Sequence, residues 1–223
     1  MLNNLLALNH EEIEALLKLQ TIFLSDSPLR HEELDYVFVV SQTPNNQKSV
    51  LERTVQIYNE SVSDLRVVLG DVKNPPACRH ADQIISELTG ELVLREDILV
   101  IDFPDDGIPL NTYTEMVGLV QWLADLKFTC TVGIIASPFH QLRSMLSVLS
   151  AQEQSNDPRT KNIKFLSVPG TSLLWNQESV HSQGILTGKR HEFISTELER
   201  VAKFYLKGDL IAPTRALEIY LNQ

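Results

Sequence analysis

Two cysteines, Cys78 and Cys130, are all the thiol chemistry this chain holds, and they stand far apart with no Cys-x-x-Cys pair and no Cys/His cluster. That excludes a disulfide framework and a zinc-finger signature, and a reducing cytoplasm is the expected setting. Positive charge is also scarce: 19 basic against 29 acidic residues give a formal net charge of −10. Such a balance repels a phosphate backbone on average, so no nucleic-acid partner is expected, although a local basic pocket remains compatible with it. No apolar run reaches the ~18 residues of a membrane span, and the opening "MLNNLLALNHEEIEALLKLQ" lacks the basic n-region and cleavage site of a signal peptide. A soluble protein with no membrane anchor in this chain is the expectation. Familiar phosphate and hydrolase fingerprints are missing too: there is no G-x-G-x-x-G, no G-x-x-x-x-G-K-[ST], no G-x-S-x-G and no H-E-x-x-H.

What is present is 43% hydrophobic residues in 223, enough for one substantial core, and one α/β domain over residues 1–223 is expected. Residues 1–27 form a helical extension, where Asn9 can cap a helix with Glu12 at its third position. Ile13, Leu16, Leu17, Leu19, Phe23 and Leu24 make its apolar stripe. Five runs then read as buried strands: "YVFVV" (36–40), "RVVL" (66–69), "ILVID" (98–102), "TVGIIA" (131–136) and "IKFLSV" (163–168). Their near-continuous β-branched content suits a parallel sheet covered on both faces. Helical patterns alternate with them over 46–61, 79–89, 112–127 and 138–151, and "FISTELERVAKFYLKG" and "PTRALEIYL" close the chain. The predicted fold is a three-layer α/β/α Rossmann-like arrangement with a mostly parallel central sheet of about five strands. The first four strands should be parallel neighbours with their carboxyl ends on one edge.

In such sheets ligands bind outside the carboxyl ends of the strands. The stretch "SPFHQLR" follows the fourth strand, with Ser137 suited to N-cap a helix and Pro138 to its first position. His140 and Arg143, three apart, can then project from one helix face, Arg143 as a fork for phosphate or carboxylate. The competing account is an ordinary Ser-Pro cap with a surface histidine and arginine. "LNTYTE" begins the preceding helix, where Thr112 and Glu115 match a T-x-x-E capping box. Glu115 can also orient Arg143, hold a water or ligate a cation. Asp102, Asp105 and Asp106 add carboxylates to the same loop, so a divalent metal is possible there and no dedicated metal site is assigned. The alternative is a solvated acidic loop.

The order of strand, "NTYTE", helix, strand and "SPFHQLR" resembles the YdcF/SanA/ElyC-like family of bacterial domains. The matching positions are Asp102, Asn111, Thr112, Glu115, Ser137, His140 and Arg143. The likeness spans roughly residues 35–200, and its specific motifs fall between 98 and 145. It implies a Rossmann-like fold and gives those residues a functional reading; some relatives are linked to envelope integrity or peptidoglycan metabolism, and many are membrane-anchored. Relatives carry a glycine-rich turn after the first strand where this chain has "VVSQTPNNQ", so Ser41, Thr43 and Asn45 can supply side-chain hydrogen bonds instead. Met116 stands where the family often has asparagine, and Arg190 and Glu192 match its late Arg-Glu region.

Two functions follow as expectations. One is a small-molecule enzyme acting on a phosphorylated or nucleotide-like anionic ligand. His140 would transfer a proton, Glu115 or Asp102 would orient a water or metal, and Ser137, Arg143, Asn111, Thr112 and Ser41 would bind. The other is a non-catalytic module that binds an anionic or adenosine-containing ligand with the same residues. His10, His31, His181 and His191 show no mutual metal spacing and receive no role; Trp122 reads as core and Trp175 as a loop plug or stacking platform. Substrate, reaction, cofactor and oligomeric state are not encoded legibly.

Overall fold

The computed structural model describes residues 3–25, 34–61, 64–71, 80–103, 111–126, 129–181 and 186–223. Chain order is α1 (His10–Leu24), β1 (Tyr36–Val39), α2 (Pro44–Glu60), β2 (Arg66–Asp71), α3 (Ala81–Gly90), β3 (Ile98–Asp102) and α4 (Thr112–Asp125). There follow β4 (Cys130–Ala136), α5 (Gln141–Gln154), β5 (Ile163–Pro169), β6 (Glu178–His181), β7 (Leu186–Lys189), α6 (Arg190–Lys207) and α7 (Pro213–Leu221). Among the described residues the central sheet has the order β3-β2-β1-β4-β5, parallel throughout, and β6 and β7 form a separate antiparallel pair. The five strands and the three-layer Rossmann-like arrangement agree with the sequence reading; the β6–β7 hairpin was not anticipated.

Alternation along β1 shows why both faces are covered. Val37 and Val39 enter one core with Val50 and Ile57 of α2 and Ile84 and Leu88 of α3. Tyr36 and Phe38 enter the other with residues of α1, α4, α5 and α6. The amino-terminal helix belongs to that second core: Leu16, Leu19 and Phe23 are buried in it, and the Ser167 hydroxyl donates to the Phe23 carbonyl at 2.8 Å. Its Asn9/Glu12 capping box forms as the spacing predicts. Among the described residues no helix is long and apolar enough to cross a membrane.

Strand order fixes the place where a ligand can sit. From β1 the chain steps to β2 and β3 on one side, then crosses to β4 on the other, so the carboxyl ends of β1 and β4 bracket the switch point of the topology. β3 and β4 are not neighbours, since β2 and β1 lie between them, and the loop after β3 therefore does not lie beside the loop after β4 through strand pairing. The two regions meet because α4 and α5 pack against each other.

Phe103, directly after β3, holds α4 in that position. Its buried ring lies between Gly70 of β2 and Gly118 of α4, where a Cβ on either glycine would run into it from opposite sides. Clamped from both sides, the ring cannot retreat from one without meeting the other. Gly118→Ala gains about 1 kcal/mol in helix propensity, but overpacking a fixed ring costs roughly 1–3 kcal/mol. Net destabilisation in urea unfolding is expected, with Phe103→Leu in the same chain restoring part of it; full tolerance of Gly118→Ala beside Phe103 would refute the clamp.

Candidate functional site

The turn after β4 differs from the sequence expectation. Ser137 is not the N-cap and Pro138 is not the first helical residue. Residues 138–140 form a turn closed by the His140 N–H to the Ser137 carbonyl at 2.8 Å, and α5 begins at Gln141 with His140 as its N-cap. Freed from capping, the buried Ser137 hydroxyl donates to Gln42 Oε1 at 3.0 Å, joining the end of β4 to the end of β1 across the switch point. Gln141 fastens the same turn from within, accepting from the Ala136 N–H at 2.9 Å and donating to the Ile134 carbonyl at 2.8 Å.

The start of α4 also differs. Asn111, not Thr112, is the N-cap: its side chain accepts from the N–H groups of Tyr113 and Thr114, and Thr114 completes the box. Asn111 is therefore exposed and committed to capping. Thr112 and Glu115 are released to face inward. Glu115 is buried and accepts from the Ser41 N–H at 3.2 Å and the Ser41 hydroxyl at 2.9 Å. Thr112 Oγ1 lies 2.8 Å from Arg143 Nη1, which donates to it, and 3.3 Å from His140 Nε2.

The partner of Arg143 is Glu197, from the middle of α6. Arg143 Nε donates to Glu197 Oε2 at 2.6 Å, while His140 Nδ1 lies 2.8 Å from the same oxygen and His181 Nε2 2.9 Å from Oε1. An ionised carboxylate can only accept, so with Glu197 ionised the facing ring nitrogens must donate, even though His140 Nδ1 also lies 3.1 Å from Arg143 Nη2. His140 thus carries its proton on Nδ1 and leaves Nε2 to accept from the Thr112 hydroxyl. All four side chains are buried, the rings of Phe139 and Phe193 pack against His181, and Arg200 adds a second cation 3.6 Å from Glu197 Oε1. Arg143 is thus an internal residue; the competing account of a surface arginine fails because the whole of α5 from Gln141 to Gln152 is covered by its neighbours.

Electrostatics follow from burial and these neighbours. Burial pushes the Glu115 carboxyl up to about 7, outweighing the Ser41 hydrogen bonds and the Arg143 charge. Burial, with Arg143 acting in the same direction, pushes the His140 imidazole down to about 3, against the pull of Glu197. Burial would raise Glu197 as well, yet the charge of Arg143 and the bonds from His140 and His181 hold it well below the usual carboxylate range. The site is therefore an ionised Glu197 against Arg143, two histidines donating to it, and a carboxyl at Glu115 that exchanges its proton near neutrality.

Among the described residues, His140, His181 and Glu197 are the group whose ligand atoms, all within 4.8 Å of one another, could hold a metal. Arg143 already supplies the counter-charge to that carboxylate, and a divalent ion would stand against a guanidinium bonded at 2.6 Å. Asp102 does not join this group; it is exposed at the end of edge strand β3. Asp105, Asp106 and His31 lie outside the described residues. Glu192 serves as the capping-box residue of α6. Trp175 is partly exposed in the segment before β6.

Sequence reasoning missed His181 and Glu197. A signal for Glu197 existed: Phe193, Glu197 and Val201 follow at intervals of four on the buried face of α6, and a carboxylate in an apolar stripe requires a buried partner. Compared with known proteins, the chain matches no family model, no curated protein and no solved structure.

Removing one member of a buried ion pair leaves the other uncompensated, so Arg143→Ala should cost about 3–5 kcal/mol in denaturant unfolding; a loss under ~0.5 kcal/mol would restore the surface reading. Stability should also depend on pH through Glu115. Between 4.5 and about 7 the folded protein keeps a proton that the unfolded chain releases, so this group subtracts stability as pH rises through that window. His140 works the other way: below 6.5 the unfolded chain takes up a proton that the folded imidazole refuses down to about 3, so stability is lost as pH falls. Glu115→Gln isolates the first effect. Its stability relative to the parent should improve by roughly 3 kcal/mol between pH 4.5 and pH 8; a pH-independent difference would contradict the burial of this carboxyl.

Proposed function

We propose that the protein is an enzyme that binds a small anionic ligand, phosphorylated or nucleotide-like, at the switch point between β1 and β4, and that Glu115 moves a proton there. The observation that carries this reading is the buried Glu115 carboxyl, raised to about 7 and held by the half-buried Ser41 at the end of β1. A general acid or base is most effective when its pKa lies near the working pH. His140, lowered to about 3, is neutral across that range. Its part is to fix Thr112 and, with Glu197, the Arg143 fork. Proton transfer accordingly falls to Glu115, acting through or beside the Ser41 hydroxyl.

The likeness to the YdcF/SanA/ElyC-like family belongs to the same proposal. It rests on the "NTYTE" and "SPFHQLR" motifs, whose Thr112, Glu115, Ser137, His140 and Arg143 lie at or beside the switch point. The alternative, a binding module without chemistry, would have to hold its ligand through other groups, because the Arg143 guanidinium is engaged by Glu197 and Thr112 and the Ser137 hydroxyl by Gln42.

A thermal-shift screen of nucleotides, sugar phosphates and cell-wall precursors, with and without divalent metal, identifies a ligand by the stability it adds. Turnover of that ligand by the parent protein is expected, and Glu115→Gln should lower it ~10²- to 10⁴-fold while affinity is retained. Binding without turnover by the parent protein would establish the module instead.

A further inference from the structure

A second buried cation is bonded to the start of α2. Arg190, the first residue of α6, is 1% exposed. Its Nε donates to Asn46 Oδ1 at 3.1 Å, Nη1 to the Leu174 carbonyl at 3.0 Å and to Gln177 Oε1 at 2.6 Å, and Nη2 to the Asn45 carbonyl at 2.8 Å. Every one of these acceptors is neutral. Arg143 has Glu197, but among the described residues no carboxylate pairs with Arg190, and burial unopposed by any negative charge lowers its pKa. Buried charges are normally paired, because an unpaired one loses its hydration without recompense.

The surroundings add charge of the same sign. Asn45 and Asn46 lie in the first turn of α2, a 17-residue helix, whose amino end carries the positive pole of the helix dipole. Two further donors, one in the loop after β1 and one at the start of α2, have no acceptor. Gln42 Nε2 and Gln47 Nε2 are buried and without a hydrogen-bond partner among the described residues. Their positions are set from the oxygen ends: Gln47 Oε1 accepts from the Gln42 N–H at 3.3 Å, and Gln42 Oε1 accepts from the Ser137 hydroxyl at 3.0 Å. The Gln47 amide thus lies against the loop backbone and the Gln42 amide spans the switch point. An uncompensated guanidinium, a helix amino terminus and two unmet amide donors together call for an acceptor that carries negative charge.

We propose that the loop after β1 and the start of α2 form a phosphate subsite, in which Gln42 and Gln47 donate to the phosphoryl oxygens and Arg190, behind Asn45 and Asn46, supplies the fixed counter-charge. This rests on the reading of an anionic ligand at the switch point and deepens it. The anion is held by Arg190 and the two glutamine amides, while Arg143 stays with Glu197 as the scaffold beside the reacting group. Side-chain amides do here what backbone N–H groups do in a glycine-rich phosphate loop.

Inorganic phosphate is the probe, titrated into the 223-residue chain by calorimetry against chloride at matched ionic strength. Saturable phosphate binding is expected, with Gln42→Leu and Gln47→Leu each weakening it at least ~10-fold, about one tenfold step of affinity. Gln47→Glu covers the case in which a leucine variant does not fold. A carboxylate placed in the subsite should replace the anion, abolishing phosphate binding and raising the melting temperature, whereas in a merely structural setting a buried glutamate lowers it. Phosphate binding that is equal in parent and variants would overturn the subsite and leave the anionic-ligand reading standing. No phosphate response in the parent, alongside turnover of an uncharged ligand from the screen, would overturn both.

Discussion

The carboxylate of Glu197 is the constraint on which the rest of the site depends. It is buried, ionised and bonded at once to Arg143 and His140 at the start of α5 and to His181 at the end of β6. A buried charge of this kind is tolerable only when its partners have fixed geometry, and here α5 delivers two of them and β6 the third. The result is a joint between α5, α6 and the small hairpin. It also explains why the β6–β7 pair, too short to be stable alone, is held against the domain: its strand presents His181 inward while Thr43 and Asn46 of the β1–α2 segment bond to the Val180 carbonyl.

With Arg143 tied to Glu197, the chemistry open to the switch point changes character. Glu115 meets only the tail of the Arg143 field, too weak to outweigh its burial, and so it titrates near neutrality instead of remaining an acid-range carboxylate. Two carboxylates in one neighbourhood are thereby set to opposite states, Glu197 ionised as scaffold and Glu115 exchangeable as a working group. Separation of this kind, made by environment and not by residue type, is how active sites divide acid and base roles. The same logic distinguishes the two arginines: Arg143 is neutralised by Glu197, and among the described residues no carboxylate pairs with Arg190.

Strand positions and layer order were legible because they follow from local pattern. The runs 36–40, 66–69, 98–102, 131–136 and 163–168 are β-branched and continuous, a pattern suited to strands buried on both faces, and the helices between them leave parallel crossovers as the natural connection. The residues Thr112, Glu115, Ser137, His140 and Arg143 were legible as a group, from motif resemblance and from their places at strand ends. Their assignments within the group were not. Thr112 and Glu115 fit a capping box by spacing, but Asn111 competes for the cap one position earlier and its side chain wins the N–H groups, which turns Glu115 into the core.

What the sequence by itself determined, then, is the element alternation, the sheet edge where polar residues collect, and the identity of most of those residues, since each depends on interactions among near neighbours in the chain. Only the tertiary structure decided the partners. Arg143 and Glu197 are 54 residues apart, and His181 and Glu197 16 apart, across connections whose course no local pattern specifies. Only packing shows that α5 is covered along most of its length, which makes an arginine three residues into a helix a buried ion-pair partner instead of a solvent-facing ligand clamp. Charge state follows the same division: the side chain fixes which proton can move, and the depth of burial and the nearest opposite charge fix the pH at which it does.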